Sequence, residues 1–318
     1  MNLAKKLLKY PNRIVVKDRA LSSVQQERIS ELEQNGYVLL ENFIEPDLLK
    51  EMQSAYHTIL EKKCVFELPC LAQTKINEEK HSELINNYFK YSPNELLKYD
   101  VTFDKGDFDN YQTIVSKFMP STLKTYLTNI PSFFPIWLNR EIIEIVEGYM
   151  GLRPYLLEAY LRRNFPAKYK VMNHFWHRDT NNLDYTVKAF FFLSDCQITS
   201  GPHEYVSGSI ADKRLSGKPY YTDQEVDDLY PPGSSRRVTS VVKAGTVIIE
   251  DTRGLHRATV PQEGYRDLGF AVFLPITTLR KYHIELKRHL GSYYDISKQD
   301  YENLTEKQRG YIPKFFIR

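Results

Sequence analysis

The segment His177-Arg178-Asp179, answered far downstream by Gly254-Leu255-His256 and then by Arg266, restricts the folds open to this chain more than any other feature. On a β-strand, residues two apart point to the same face, so His177 and Asp179 can grip one metal together. Two imidazoles and one carboxylate fill three adjacent corners of an octahedron around ferrous iron and leave three corners open. The third ligand must come from elsewhere, which calls for a fold that returns His256 to the side of His177. An isolated His-x-Asp is a weak signal, and its surroundings carry the reading.

Residues 170–176 mix polar and aromatic side chains in a way suited to a strand, and residues 180–184 read as a turn. Residues 185–193 are dense in β-branched and aromatic side chains and predict a buried strand, with Thr186, Lys188, Phe190 and Phe192 on one face and Val187, Ala189 and Phe191 on the other. Residues 238–250 predict two strands joined by a turn at Lys243-Ala244-Gly245, with His256 just beyond them. Residues 265–274 predict a further strand, which carries Arg266. Helical apolar spacing marks residues 48–63 and again 138–149, the second run ending at Gly151.

With these segments in place the chain resembles the phytanoyl-CoA dioxygenase family of iron(II)- and 2-oxoglutarate-dependent oxygenases. Residues 32–46 are similar to that family's opening helix, strand and second helix. Ser194-Asp195 with residues 200–209 resembles its mid-barrel strand and Gly-Pro turn, and residues 245–256 resemble its distal-histidine strand. The resemblance implies a mainly β fold with flanking helices around a double-stranded β-helix, a cupin-like jelly-roll. It implies that His177, Asp179 and His256 hold Fe(II), that 2-oxoglutarate and dioxygen are co-substrates, and that the outcome is hydroxylation of an unactivated C–H bond. Asp179 favours hydroxylation over halogenation, because related halogenases replace the carboxylate by a small residue.

Arg266 is the candidate clamp for the far carboxylate of 2-oxoglutarate, since a guanidinium binds a carboxylate through two parallel hydrogen bonds. Its alternative is a structural ion pair with Asp267 or Glu263. Family members often place a hydroxyl two residues after the distal histidine, where this chain has Ala258; Thr246 or Thr259 could substitute. Ile210 departs from the family too, in a loop. Phe190 lies where the family packs an aromatic beside the co-substrate, so Lys188 on the same face could also point inward, where a buried lysine needs an anion, either 2-oxoglutarate or the substrate. Its alternative is an edge lysine reaching solvent. The remaining histidines, His57, His81, His174, His203, His283 and His289, read as surface or structural residues.

The 318 residues fit one dioxygenase domain: a mainly helical part over 1–154, a jelly-roll core over 155–280 with an inserted loop at 211–237, and a basic, aromatic tail over 281–318. No apolar run approaches the roughly 20 residues that cross a bilayer, and the first nine residues lack the apolar region of a secretion signal. Cys64, Cys70 and Cys196 are too few for a disulfide framework, and a reducing cytoplasm is the expected compartment. A net charge of +3 without a nucleic-acid motif argues against a nucleic-acid partner. Basic residues and aromatics interleave in the tail, which suggests either peripheral contact with an anionic membrane or a tail packed on the protein with its charges in water. The basic character favours an anionic small molecule or glycolipid as substrate. Among relatives of this fold, hydroxylases of the Kdo sugar of lipopolysaccharide fit best. A soluble metabolite hydroxylase and a non-catalytic jelly-roll binding module are the alternatives.

Overall fold

The computed structural model describes residues 21–60, 123–164, 166, 172–179, 185–275 and 294–318. The strands are β1 (Tyr37–Leu40), β2 (Leu123–Tyr126), β3 (Pro154–Asn164), β4 (Val187–Phe192), β5 (His203–Val206), β6 (Arg237–Thr239), β7 (Val247–Asp251), β8 (His256–Ala258) and β9 (Arg266–Pro275). They form a six-stranded sheet in the order β1-β7-β4-β9-β3-β2 and a three-stranded sheet in the order β6-β5-β8. Every pairing is antiparallel. This is the jelly-roll class that the resemblance implies.

Alternation decides what each face of the large sheet does. Lys188 and Phe190 on β4, Tyr160 and Arg162 on β3, and Arg266, Leu268 and Phe270 on β9 line one cavity. Their neighbours Phe191, Ala189, Leu161, Ala271 and Phe273 face the apolar core instead. Trp137 closes that core, stacking on Phe191 at 4.2 Å between ring centroids and donating from Nε1 to the Phe270 carbonyl at 2.7 Å. The indole comes so close to β9 that a Cβ at Gly269 would overlap it. Truncating an aromatic buried this completely costs about 3–5 kcal/mol.

The helix Ser23–Asn35 starts from a Ser22/Gln25 capping box and stops at Gly36, whose φ of 86° favours glycine. Helical spacing expected over 48–63 is observed as Pro46–Leu60, residues beyond 60 lying outside the described segments. The second helix runs Arg140–Met150, because the Asn139 side chain caps its N-terminus, and it ends at Gly151 as expected. The part expected to be mainly helical also contributes β1 and β2, one at each edge of the six-stranded sheet.

One expectation is corrected. Residues 170–176 do not form a strand where they are described: Met172–His174 is a 3-10 turn, and pairing is confined to isolated bridges, Trp176 with Tyr221 and His177 with His256. Among the described residues the bridges fall at the end of the segment, next to the metal-ligand candidates. Of the two readings of the tail, residues 294–318 fit the one that packs on the protein: Tyr294, Tyr311 and Phe316 are buried in the main core. The Tyr294 hydroxyl donates to the Leu156 carbonyl at 2.9 Å, and Lys307 pairs with Glu144 at 3.1 Å. Residues 276–293, with Arg280, Lys281, Tyr282, Lys287, Arg288 and Tyr293, lie outside the described segments. No helix among the described residues is long and apolar enough to cross a membrane.

The inserted loop packs around a second apolar cluster built from Trp176, Val206, Leu215, Tyr221, Val226, Tyr230 and Leu255. Two guanidinium groups lie over the Trp176 ring, Arg237 at 5.1 Å and Arg257 at 4.6 Å from its centroid. This cluster anchors the segment that leads into His177.

Candidate metal centre

His177 and His256 face each other across an isolated bridge in which each backbone N–H donates to the other's carbonyl, at 2.9 and 3.0 Å. Asp179 is held by its own N–H, which donates to the Thr252 carbonyl at 2.8 Å. One ligand atom from each of these three residues lies within 4.8 Å of the other two, the spacing a single metal ion requires. Both imidazoles are oriented from behind: Nδ1 of His177 lies 2.8 Å from the Phe175 carbonyl and Nδ1 of His256 lies 2.9 Å from the Gly254 carbonyl. A carbonyl only accepts, so each Nδ1 carries the proton and each Nε2 presents its lone pair forward, the tautomer a metal needs. His177 Nε2 is 3.7 Å from one Asp179 oxygen, and His256 Nε2 is 3.9 Å from the other.

Arg178, between the first two ligands, points the opposite way, as alternation dictates. Its guanidinium donates to the carbonyls of Ser209, Asp212, Leu215 and Arg253 at 2.8–3.0 Å. It ties the metal-ligand segment to the inserted loop and to the turn before His256. That turn is further fixed by Asp251, which accepts from Tyr149 Oη at 2.7 Å and from Arg253 Nε at 2.9 Å.

Protonation favours metal binding at all three positions. Burial pushes the Asp179 carboxyl upward, but the Lys188 ammonium, then His256 and His177, overcome this and hold it well below the usual carboxylate range. Burial lowers His177, and lowers His256 further still, so both rings are neutral at pH 7. Lys188 turns inward with its ammonium against Asp179 Oδ2. Burial would lower it, yet the adjacent carboxylate raises it overall, so it is charged.

These residues open into a cavity of about 250 Å³ that also receives Tyr160, Arg162, Phe190, His203, Tyr220 and Arg266. Arg266 is 1% exposed, and its Nη1 donates to the Gly201 carbonyl and reaches Cys196 Sγ at 3.9 Å. Its Nε meets no partner, and no carboxylate pairs with it among the described residues. Asp267, the alternative partner, is taken by Arg163 through two 2.7 Å contacts. Burial lowers the Arg266 pKa, though a guanidinium stays charged at neutral pH.

Thr246 and Thr259 do not line this cavity. Ala258 does, so the next residue on the strand points away, and the Thr259 hydroxyl donates to the Pro202 carbonyl at 2.9 Å. Thr246 lines a separate cavity of about 330 Å³ with Asn42 and Cys196. His203 is buried and paired, as a structural histidine is, and stands in the cavity wall. Its Nε2 lies 2.8 Å from Glu250 and its ring 5.4 Å from that of His256. Burial raises the Glu250 carboxyl despite that histidine. His174 is buried in its 3-10 turn, and His81, His283 and His289 lie outside the described residues.

Two facing antiparallel sheets with two histidines, a carboxylate and a buried arginine between them define the class of jelly-roll oxygenases that use iron and an oxoacid. The chain belongs to the phytanoyl-CoA dioxygenase (PhyH) family, which matches residues 32–260. It is an iron(II)- and 2-oxoglutarate-dependent enzyme. No curated protein sequence matches it significantly. Among solved structures it is similar to EctD from S. alaskensis in its apoform, at 14% identity over 82% of this chain and 80% of that one, with a TM-score of 0.51. It is also similar to HygX from Streptomyces hygroscopicus with nickel, 2-oxoglutarate and hygromycin B bound, at 15% identity over 80% and 88% of the two chains, with a TM-score of 0.47.

Proposed function

We propose that this protein hydroxylates a C–H bond of an anionic substrate, with His177, Asp179 and His256 as iron ligands and Arg266 as the clamp for 2-oxoglutarate. The observation that carries the reading is the convergence of three ligand atoms with both imidazoles tied back through Nδ1. Bound iron with 2-oxoglutarate and dioxygen supplies the oxidising chemistry: one oxygen atom enters the product as hydroxyl and the other enters succinate as carbon dioxide leaves. The chain's residues position and charge the site. Arg266 would hold the far carboxylate of the oxoacid, Phe190 and Phe270 would supply the apolar wall beside it, and Lys188 steadies the Asp179 oxygen it touches.

Charge supports the substrate class. Lys188 and Asp179 pair with one another in the cavity wall, and Arg266 lines it without a carboxylate partner among the described residues. A divalent metal and a dianionic oxoacid would cancel one another, so the Arg266 charge is left in excess and favours an anionic substrate. The Kdo sugar of a lipid A precursor, which is a carboxylate, belongs to that class. Buried aromatics in residues 294–318 remove the argument for membrane contact by that part of the tail, so soluble anionic metabolites stand beside it. Incubating metal-loaded protein with 2-oxoglutarate and candidate anions should yield succinate in step with a product heavier by one oxygen. The ligand assignment predicts that His177→Ala, Asp179→Ala and His256→Ala abolish that product; full metal occupancy in all three variants would exclude it.

A further inference from the structure

Phe175 and Tyr220 are 38% and 46% exposed, unusual for large rings, and they lie beside one another with centroids 6.0 Å apart and planes tilted by 60°. They come from separate segments that an isolated bridge holds together: the Tyr221 N–H donates to the Trp176 carbonyl at 2.8 Å. Phe175 also supplies the carbonyl that orients His177, and the Tyr220 ring lies 6.2 Å from the His177 ring inside the cavity lining. Two apolar faces are thus left open to water at the rim of the metal centre, on backbone that is fixed. Covering them is favourable at about 25 cal/mol per Å².

The cavity's size says what covers them. Its volume of about 250 Å³ falls below the roughly 300–1,000 Å³ typical of a small-molecule site. With the co-substrate inside, only the reacting edge of a substrate fits, and the rest must lie across the rim. We propose that Tyr220 and Phe175 form a stacking platform for the ring of a cyclic anionic substrate, at the mouth of the cavity that Lys188 and Arg162 also line. A flat ring, aromatic or the C–H face of a sugar, covers an aromatic face at little conformational cost. An open chain of equal charge must first be ordered, which costs entropy for every bond it fixes. The proposal rests on the functional reading above and adds the ring, the residues that select it and the side from which it approaches.

The experiment uses full-length protein loaded with Mn(II) and 2-oxoglutarate, and reads paramagnetic relaxation of probe acids by ligand-observed NMR. Glucuronate and benzoate serve as cyclic probes; gluconate and hexanoate are their open-chain counterparts. Cyclic acids should relax faster than the open-chain ones, and Tyr220→Ala should weaken their binding roughly two- to tenfold, the range expected for one aromatic contact. Tyr220→Phe should retain it, because the face and not the hydroxyl does the stacking, while Phe175→Leu should lose part of it. Equal relaxation by both kinds of acid, no relaxation by either, or indifference to Tyr220→Ala overturns the platform. Mn(II) occupancy, measured by EPR in the same samples, separates the failures: a wild-type protein that takes up no Mn(II) overturns the metal assignment, whereas a loaded one without cyclic preference overturns the platform alone.

Discussion

Replacing Arg266 by methionine separates a co-substrate clamp from a structural ion pair, because the two roles give opposite stability effects. Arg266 is almost fully buried, has no carboxylate partner among the described residues, and leaves Nε unsatisfied. A buried cation without an anion is a net cost to the folded protein, of several kcal/mol before relaxation. Methionine keeps the apolar stem and removes the charge. It also loses the donor to the Gly201 carbonyl, worth about 1–3 kcal/mol to that acceptor. The two effects offset, so the protein without co-substrate should unfold in urea at an unchanged or higher midpoint. Co-substrate affinity should fall steeply: two charge-assisted hydrogen bonds at about 1.5–3 kcal/mol each amount to about 3–6 kcal/mol, or roughly 10²- to 10⁴-fold. Calorimetric titration of 2-oxoglutarate into Mn(II)-loaded protein measures the second effect. A variant that binds 2-oxoglutarate normally but unfolds several kcal/mol more easily would refute the clamp and restore the structural role.

Asp267→Ala should behave in the contrary way, losing about 3–5 kcal/mol in urea unfolding because Arg163, 1% exposed, is left without its carboxylate; a loss under about 1 kcal/mol would contradict the pairing. Metal affinity should be level across neutral pH and decline only in acid. Both imidazoles are lowered from the ordinary histidine value of 6.5 and Asp179 is lowered as well, so protons compete only below that value; a Co(II) titration showing half the affinity lost by pH 7 would contradict this. Gly254→Ala should weaken metal binding although it removes no ligand, since the new Cβ overlaps the Tyr205 hydroxyl and displaces the carbonyl that orients His256. Arg178→Met should cost at least about 3 kcal/mol, as four carbonyls lose a charged donor, with proteolysis of the 211–237 loop as the readout.

The ligand set is legible in the sequence because few side chains hold iron and a period of two decides which of them share a face. His177 and Asp179 need only that rule, and β4 and β9 stand out through their β-branched and aromatic runs. His203 is not legible: its place depends on Glu250, a residue on another strand of another sheet, and a single histidine has no period to betray it. Thr246 and Thr259 mislead for a related reason, since a hydroxyl near a motif says nothing about which way it turns. The tail leaves two readings open for a different reason. Basic and aromatic residues look alike whether they meet a membrane or Leu156, and only the tertiary partner decides. The direction of Arg178 follows from the rule that places the ligands, because a residue between two ligands on one face must point to the other.

The two tryptophans of the chain fall one in each apolar cluster, Trp137 in the main core and Trp176 in the smaller one beside the metal ligands. Their surroundings differ: Trp137 is hydrogen-bonded and stacked on a phenylalanine, whereas Trp176 has two guanidinium groups over its ring and no partner for its Nε1 among the described residues. The molecule therefore carries two native fluorophores with separate addresses. Trp137→Phe leaves an emission that reports the rim alone, and Trp176→Phe leaves one that reports the core alone. Followed together, they distinguish a site that opens while the barrel stands from a protein that melts as one.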